Sequence, residues 1–210
     1  MNTKSIMPVS SGSFVYDIGR WGAVHLRLLG VPDAEAIAKS VEGHYFTPRP
    51  TQYGSRGVVQ NFSACEEEDI PNDSVVRELS GHLTHLLGKM FGSQSGSARV
   101  FPEEPICLND HLLLLYPPSK IGLGAHRDHS KYINLIISLT LIGESDFNIH
   151  TTPEGLPVKT FHATSGTAVF MRAPDFLGED IRPLHSVSRV STERLTLVLK
   201  QKRRPHENLH

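Results

Sequence analysis

Three side chains in this sequence have the types and the order needed to hold a divalent metal ion. His126 and Asp128 stand two residues apart in the segment Gly124-Ala125-His126-Arg127-Asp128, and His185 follows much later. In an extended segment, residues i and i+2 point to the same side, so the first two side chains can bind one ion together. The third ligand must come from a strand that is near in space, and we expect His185 to begin such a strand. Two imidazoles and one carboxylate form the ligand set of non-haem Fe(II) centres, which keep coordination positions open for oxygen chemistry.

A histidine two residues before an aspartate is weak evidence by itself, because the chain contains 12 histidines. His129 could replace one of the ligands, but we predict that it lines the mouth of the site. A zinc or manganese site of the cupin type is an alternative, although such sites usually carry more histidine ligands. A non-catalytic metal-binding or sensor module with the same three residues is also consistent with this pattern.

A second pair of polar side chains lies shortly after His185. Leucine occupies every second position of residues 195–199, whereas Arg194 and Thr196 stand on the opposite face of the same run. Because side chains alternate across a strand, one face packs and the other presents a guanidinium beside a hydroxyl. An arginine in such a place is suited to bind a carboxylate through two parallel hydrogen bonds. Arg194 could instead end in water or pair with Glu193.

Five short stretches of the sequence follow one another in an order that is typical of one enzyme superfamily. They are Leu115-Tyr116-Pro117-Pro118, Gly122-Leu123-Gly124-Ala125-His126-Arg127-Asp128, Ser165-Gly166-Thr167-Ala168-Val169-Phe170, His185-Ser186-Val187 and Arg194-Leu195-Thr196. In order and spacing they resemble the Fe(II)/2-oxoglutarate-dependent oxygenases. The likeness is closest to the group that includes plant flavonoid and hormone oxidases and isopenicillin N synthase. It covers about residues 107–200, nearly half of the chain.

This resemblance implies roles for the residues named above. It implies that Fe(II) is bound by His126, Asp128 and His185. It also implies that the distal carboxylate of the cosubstrate 2-oxoglutarate is bound by Arg194 and Thr196, with help from the hydroxyl of Tyr116. The expected reaction consumes O2, releases succinate and CO2, and hydroxylates an unactivated C–H bond. Because halogenating members lack the carboxylate, Asp128 favours hydroxylation or desaturation. The implied fold is mainly β with flanking helices, a double-stranded β-helix of the jelly-roll, cupin-like type.

The sequence also departs from the plant members of this superfamily. Leu114 stands where they carry an asparagine, and Thr196 stands where they usually have a serine, which keeps the hydroxyl. The chain is shorter than theirs and closer in size to AlkB-like or bacterial hydroxylases. AlkB proteins, however, space their arginines further from the second histidine. The subfamily, and with it the substrate, is therefore left open.

Substrate contacts in this fold come mostly from the N-terminal region and from loops around the barrel mouth. Candidates are Arg127, between the first two ligands, and Arg56, in the Gly- and Pro-rich stretch 48–57. We expect a small-molecule substrate, such as an amino acid or a natural-product intermediate. A nucleobase in DNA or RNA is the alternative, for which the basic stretch 200–204 would supply phosphate contacts. The segment 171–183 is a candidate lid.

The elements that must position these residues divide into helices first and strands after. Helical periodicity predicts helices within 32–46 and 71–92, the second capped by Asn72 or Asp73. Beyond residue 105, short β-prone runs recur between Gly, Pro, Asp and Ser, as is typical of an all-β sandwich or barrel. The runs cover 106–116, 132–142, 146–152, 158–163, 167–173, 185–190 and 193–201.

Length, composition and charge exclude several classes of protein. The 210 residues suit a single domain, and 39% hydrophobic with 20% charged residues exclude both a disordered chain and a membrane bundle. The formal net charge of −1 means that any charge-guided binding must be local. Cys65 and Cys107 form no CxxC pair and are expected to be free thiols in a reducing cytoplasm. The N-terminus contains no signal sequence or membrane span, so we expect a cytoplasmic protein without membrane partners.

The expected domain organisation follows from the positions of these elements. We expect one domain over residues 1–210. Its parts are a helix-containing N-terminal part over 1–106, a β-helix core with the metal site over 107–200, and a polar tail over 201–210.

Overall fold

The computed structural model describes residues 11–92, 104–176 and 180–203. Its helices are α1 (Ser11–Trp21), α2 (Val31–Ser40) and α3 (Val75–Gly92), and a 3-10 turn covers Glu67–Asp69. Its strands are β1 (Ala23–Arg27), β2 (Thr47–Pro48), β3 (Gln52–Tyr53), β4 (Val58–Val59), β5 (Ser63–Cys65), β6 (Asp110–Tyr116), β7 (Ser119–His126), β8 (Tyr132–Ile142), β9 (Glu144–His150), β10 (Lys159–Thr164), β11 (Thr167–Arg172), β12 (Leu184–Val190) and β13 (Arg194–Lys202).

Two antiparallel sheets face each other. The larger sheet has the strand order β1-β11-β8-β13-β6-β5-β2, and the smaller has the order β10-β9-β12-β7. β3 and β4 form a separate hairpin beside the smaller sheet, where the Asn61 N–H donates to the Gly122 carbonyl at 2.8 Å. From β6 onwards the chain passes repeatedly between the two sheets. The predicted jelly-roll double-stranded β-helix is thereby confirmed.

The two faces of the larger sheet are buried in different ways. Leucines of β13 at 195, 197 and 199 belong to a cluster with apolar side chains of all three helices, including Phe14, Ile37 and Leu79. The opposite face belongs to a second cluster between the sheets, which contains Tyr116, Ile136, Phe147, Val187 and Val198. The alternation predicted for this strand is therefore confirmed. Its inward face, which starts with Arg194, points into the barrel.

The helices agree in part with the sequence expectations. α3 is confirmed, but its predicted cap was wrong: the Ser74 hydroxyl accepts a hydrogen bond from the Arg77 N–H at 3.4 Å, and Asn72 and Asp73 lie before it. α2 ends at Ser40, earlier than predicted, and Gly43 then turns the chain with φ of 89°. The sequence did not predict α1, the strands β1 to β5, or β7 as a whole, of which only the end at His126 was expected to be extended.

Some expectations fall on parts of the chain that the structure does not describe. Residues 177–179 of the candidate lid and residues 204–210 of the predicted tail lie outside the described residues. The first two residues of that tail, Gln201 and Lys202, belong to β13. In the described part of the chain, no helix is long and apolar enough to span a membrane.

Candidate active site

The three predicted metal ligands lie together at one end of the smaller sheet. His126 is the last residue of β7 and pairs directly with His185 in β12, so strand pairing makes neighbours of two distant histidines. Asp128 follows where the chain leaves the sheet, and His185 Nε2 lies 3.6 Å from Asp128 Oδ2. One donor atom from each of the three lies within 4.8 Å of the others. Because metal–ligand bonds to these groups are about 2.0–2.2 Å long, atoms so placed can bind one ion.

Backbone carbonyls orient both imidazole rings. His126 Nδ1 lies 3.0 Å from the Gly124 carbonyl oxygen, and His185 Nδ1 lies 3.0 Å from the Pro183 carbonyl oxygen. A carbonyl only accepts hydrogen bonds, so each Nδ1 carries the proton and each Nε2 keeps its lone pair for a metal. The Phe147 ring stacks almost parallel on His185, with centroids 5.2 Å apart, and fixes the plane of that ligand.

The charge states of the ligands also suit a metal. Burial, together with the neighbouring His126, lowers the pKa of His185 to about 4, so its ring is neutral near pH 7. Burial alone would raise the pKa of Asp128, but His185, His126, Lys200 and Arg182 hold that pKa below its ordinary value. A neutral imidazole and an ionised carboxylate are the forms that bind metal ions.

The residues expected to bind a carboxylate lie deeper in the same barrel. Arg194 pairs with Tyr116 across β13 and β6, and Thr196 pairs with Thr140 across β13 and β8. The Arg194 Nη2 donates to the Thr140 hydroxyl at 3.0 Å, and the guanidinium carbon lies 5.2 Å from the Tyr116 ring centroid. Arg194, Thr196 and Tyr116 are each only 1% exposed.

Several polar atoms of this site have no partner among the residues that the structure describes. They are Nε and Nη1 of Arg194 and the hydroxyl oxygen of Thr196. Buried polar groups are nearly always hydrogen-bonded, and a buried charge is costly unless an opposite charge pairs with it. A carboxylate that accepts from two guanidinium nitrogens and the Thr196 hydroxyl would satisfy all three atoms. The residues therefore fit the distal carboxylate of 2-oxoglutarate, and the triad fits Fe(II).

Tyr116 is held against the arginine by its neighbours. Burial raises the pKa of its hydroxyl to about 12, although Arg194 acts against this rise, so the phenol stays protonated. A Cβ atom at Gly122 would lie 2.9 Å from the Tyr116 ring, which is closer than side chains normally approach. The absence of a side chain at Gly122 therefore allows β7 to pack directly on this ring.

One cavity connects the triad with the surface. Its volume is about 500 Å³, and it contains His126, Asp128 and His185 in its wall. Apolar residues form much of the rest of the wall, among them Phe62, Leu114, Leu123, Ile136, Phe147 and Val198. Cavities of this size that combine apolar walls with a few polar groups are typical of small-molecule sites.

The two predicted substrate contacts line the mouth of this cavity. Arg56 is exposed in the turn between β3 and β4, and Arg127 is exposed between the first two ligands. The Arg127 guanidinium donates a hydrogen bond to the Arg182 carbonyl, which ties it to the segment before β12. His129 also lies at the mouth, where its Nδ1 accepts from the Lys131 N–H at 3.0 Å. The substrate roles of both arginines stay predictions.

Sequence reasoning missed several residues of the site. Thr140 and Phe147 stand in apolar runs that gave no sign of a contact with Arg194 or His185. Lys200 was considered only as part of a basic stretch for phosphate contacts, but it is 8% exposed and lines the cavity. Its alternation with Arg194 and Thr196 on one strand face was the signal that could have placed it inside.

Among known proteins, only solved structures with a similar fold match this chain. No family model matches the sequence, and no curated protein matches it. A 2OG-Fe(II) oxygenase family oxidoreductase from Burkholderia pseudomallei superposes with a TM-score of 0.63 at 16% identity, over 95% of this chain and 93% of that one. A prolyl-4-hydroxylase from Pseudomonas putida gives a TM-score of 0.59 at 17% identity, over 93% of this chain and 100% of its own.

A third structure, OsALKBH1, gives a TM-score of 0.58 at 18% identity, over 86% of this chain and 98% of its own. The chain therefore has the fold of the 2OG-Fe(II) oxygenases over nearly its whole length. At such low identity these likenesses show the fold, and the site residues must be argued from their own geometry.

Proposed function

We propose that this chain is an Fe(II)- and 2-oxoglutarate-dependent oxygenase that hydroxylates an unactivated C–H bond. In the overall reaction, substrate, 2-oxoglutarate and O2 give hydroxylated substrate, succinate and CO2. One oxygen atom enters the new hydroxyl group, and the other enters succinate. His126, Asp128 and His185 would hold the iron, and Arg194 with Thr196 would hold the cosubstrate.

The observation that carries this proposal is that two nitrogens of the buried Arg194 guanidinium, Nε and Nη1, have no hydrogen-bond partner among the described residues. A metal triad alone would also suit a sensor or a cupin of another kind. A buried guanidinium with two such nitrogens beside the Thr196 hydroxyl is suited to bind an anion, and it stands in the same barrel as the triad. A dicarboxylic cosubstrate explains both groups of residues together.

The residues of the chain have separate tasks in this scheme. When bound, Fe(II) with 2-oxoglutarate and O2 supplies the oxidising power that converts C–H into C–OH. Thr140 and Tyr116 hold the Arg194 guanidinium in place, so that its free edge faces the cosubstrate. Phe147 covers one face of His185, and the apolar wall excludes water from the metal. The carboxylate of Asp128 favours hydroxylation over halogenation.

A small molecule is the substrate class that the cavity favours. Its volume of about 500 Å³ suits a compact ligand beside the cosubstrate, and the hairpin of β3 and β4 restricts the mouth. The exposed Arg56 and Arg127 support a nucleic acid as the alternative, because guanidinium groups at a mouth can bind phosphates. A single-stranded oligonucleotide that binds with a steep salt dependence would favour that alternative.

The test of the proposed function is an anaerobic titration of the metal-free protein with Fe(II) and then with 2-oxoglutarate. The iron chelate of 2-oxoglutarate has a visible charge-transfer band, which absorption spectroscopy follows directly. We expect the band in the wild type, its loss in His185→Ala and a much weaker cosubstrate affinity in Arg194→Ala. Arg20→Ala removes an exposed guanidinium from the end of α1 and is the matched control, with no expected effect.

The outcomes separate the alternatives. If the wild type binds iron but forms no chelate band at high 2-oxoglutarate concentration, the oxygenase proposal is wrong and a sensor or cupin function takes its place. If Arg194→Ala forms the chelate with wild-type affinity, the assignment of the carboxylate site is wrong even though the metal site stands.

A further inference from the structure

A buried lysine in the wall of the cavity helps to keep Asp128 ionised, but no ligand has been assigned to it so far. Lys200 stands on the inward face of β13, in the alternation that begins with Arg194 and Thr196, and it is 8% exposed. It pairs with Ile136 of β8 and Asp110 of β6, which places it inside the larger sheet and not in a tail. Its Nζ lies 4.5 Å from the centroid of the Tyr132 ring.

Within the described residues the ammonium of Lys200 makes no direct salt bridge, although the nearby Asp128 and Asp110 favour its charged form. Asp110 is held by Lys202, whose Nζ lies 2.5 Å from its Oδ1, and it also accepts from the Tyr132 hydroxyl. Asp128 is assigned to the metal. Within the described residues, no carboxylate oxygen lies within 4 Å of Lys200 Nζ. A cation that is buried in this way is costly unless an anion arrives to pair with it.

Most of the charged side chains around Lys200 in the cavity wall are also positively charged. Lys131 Nζ lies 5.0 Å from the same Tyr132 ring, and Arg127 and Arg56 stand at the mouth of the cavity. Asp128 supplies the only carboxylate in the wall, as far as the described residues go. The chain as a whole has a net charge of −1, so the positive lining is local to the cavity.

We propose that Lys200 binds an anionic group of a small-molecule substrate, a carboxylate or a phosphate, and thereby sets which carbon faces the metal. This inference rests on the proposed function. Arg194 and Lys200 stand three inward positions apart on β13, about 20 Å between their Cα atoms, so they are placed to bind different groups. Leu112, Ile136 and Val198 line the wall around Lys200 and would contact the carbon skeleton.

The test uses pairs of ligands that have similar shapes and different charges. Benzoate and benzamide, and phenyl phosphate and phenyl methanesulfonate, are titrated by calorimetry into the protein loaded with Fe(II) and saturating 2-oxoglutarate without oxygen. We expect the anion of at least one pair to bind about tenfold or more tightly than its neutral partner, as one charge-assisted contact provides. The pair with the larger preference identifies a carboxylate or a phosphate as the natural group.

Substitutions then assign the preference to one side chain. Lys200→Gln and Lys200→Met should remove most of it, and Lys200→Arg should retain it. Lys120→Gln removes the same charge from an exposed lysine on β7 outside the cavity, and it should leave the preference unchanged. Having two neutral variants guards against misfolding of either one, which near-ultraviolet circular dichroism checks.

Four results would overturn the proposal. In the first, the wild type does not prefer either anion. In the second, the preference survives in the neutral Lys200 variants. In the third, these variants lose 2-oxoglutarate affinity as strongly as Arg194→Ala, which would make Lys200 a cosubstrate residue. In the fourth, an oligonucleotide binds through Lys200 with a steep salt dependence.

The titrations also distinguish a failure of this proposal from a failure of the oxygenase proposal. The same titrations on the metal-free protein report on Lys200 even if no chelate band forms. An anion preference that depends on Lys200 without any chelate would contradict the oxygenase function alone.

Discussion

The side chains of the triad are prepared for a metal by contacts that involve no metal. Carbonyl oxygens of Gly124 and Pro183 fix the Nδ1 protons of the two histidines, and each carbonyl lies two residues before its histidine. The local backbone therefore selects the tautomer as well as the ring position. This arrangement stabilises the binding-competent form before an ion arrives, which reduces the reorganisation that binding requires.

The buried state of His185 predicts how the metal-free protein responds to acid. Its pKa of about 4 in the folded protein lies below the ordinary value of 6.5, so the unfolded chain takes up a proton first as the pH falls. The full contribution to stability is present above about pH 6.5 and is lost progressively toward pH 4, by at most about 3 kcal/mol. Urea unfolding of the metal-free wild type and of His185→Gln between pH 6.5 and pH 4 measures this loss in the free energy of unfolding. Equal slopes against pH in both proteins would contradict this role of His185.

The Tyr116 hydroxyl predicts a change in cosubstrate affinity without loss of the fold. Tyr116→Phe keeps the ring beside Gly122 but removes the hydroxyl that interacts with Arg194. We expect the KM for 2-oxoglutarate to rise about three- to tenfold, which corresponds to one hydrogen bond, with little change in thermal stability. Tyr53→Phe alters an exposed hydroxyl at the cavity mouth and is the control. An unchanged KM in Tyr116→Phe would remove this tyrosine from the cosubstrate site.

At the scale of elements, the site depends on strand pairing that brings together residues from four strands. β7 and β12 supply the histidines, whereas β13 and β6 supply Arg194 and Tyr116. The types and order of these residues were visible in the sequence because each is unusual in an apolar run. Their pairing was not, because register depends on every neighbour in the sheet.

The elements that the sequence did not predict are stabilised mainly by contacts with residues that are distant in the sequence. β2, β3 and β4 contain two residues each, so they have no periodicity and form only by pairing. α1 contains Gly and Ser and derives its stability from Phe14 and Ile18, which pack against the sheet and α3. Lys200 is a different case. Its alternation with Arg194 and Thr196 indicated an inward position, but the charges that follow it hid this signal.

The close packing of β7 on β6 predicts opposite effects for two glycine substitutions. Gly122→Ala would place a methyl group 2.9 Å from the Tyr116 ring, so we expect a loss of stability together with weaker 2-oxoglutarate binding. Gly88→Ala lies in α3 with open space around its Cα, and we expect about 0.5–1 kcal/mol of added stability. Thermal unfolding and cosubstrate titration of the two variants test this pair. A Gly122→Ala protein with normal cosubstrate affinity would contradict the proposed contact.

For the whole molecule, Fe(II) and 2-oxoglutarate should each increase the free energy of unfolding, in two separable steps. Each ligand at about 100 times its Kd adds about 2.7 kcal/mol, which raises Tm by several degrees for a domain of this size. Anaerobic thermal unfolding should show one increment with Fe(II) and a second with 2-oxoglutarate. Arg194→Gln should keep the first and lose most of the second. If 2-oxoglutarate stabilises the variant as much as it does the wild type, Arg194 does not bind it.

The pairing of β7 with β12 also has a kinetic consequence. The residues between these strands include β8 to β11, so the two histidines meet only after most of the barrel has assembled. A metal that requires both cannot assist the early steps of folding, and we expect it to leave the folding rate nearly unchanged. It would instead slow unfolding, because the strands cannot separate while both imidazoles are bound to one ion. The ion would then stabilise the finished barrel against unfolding without helping the barrel to form.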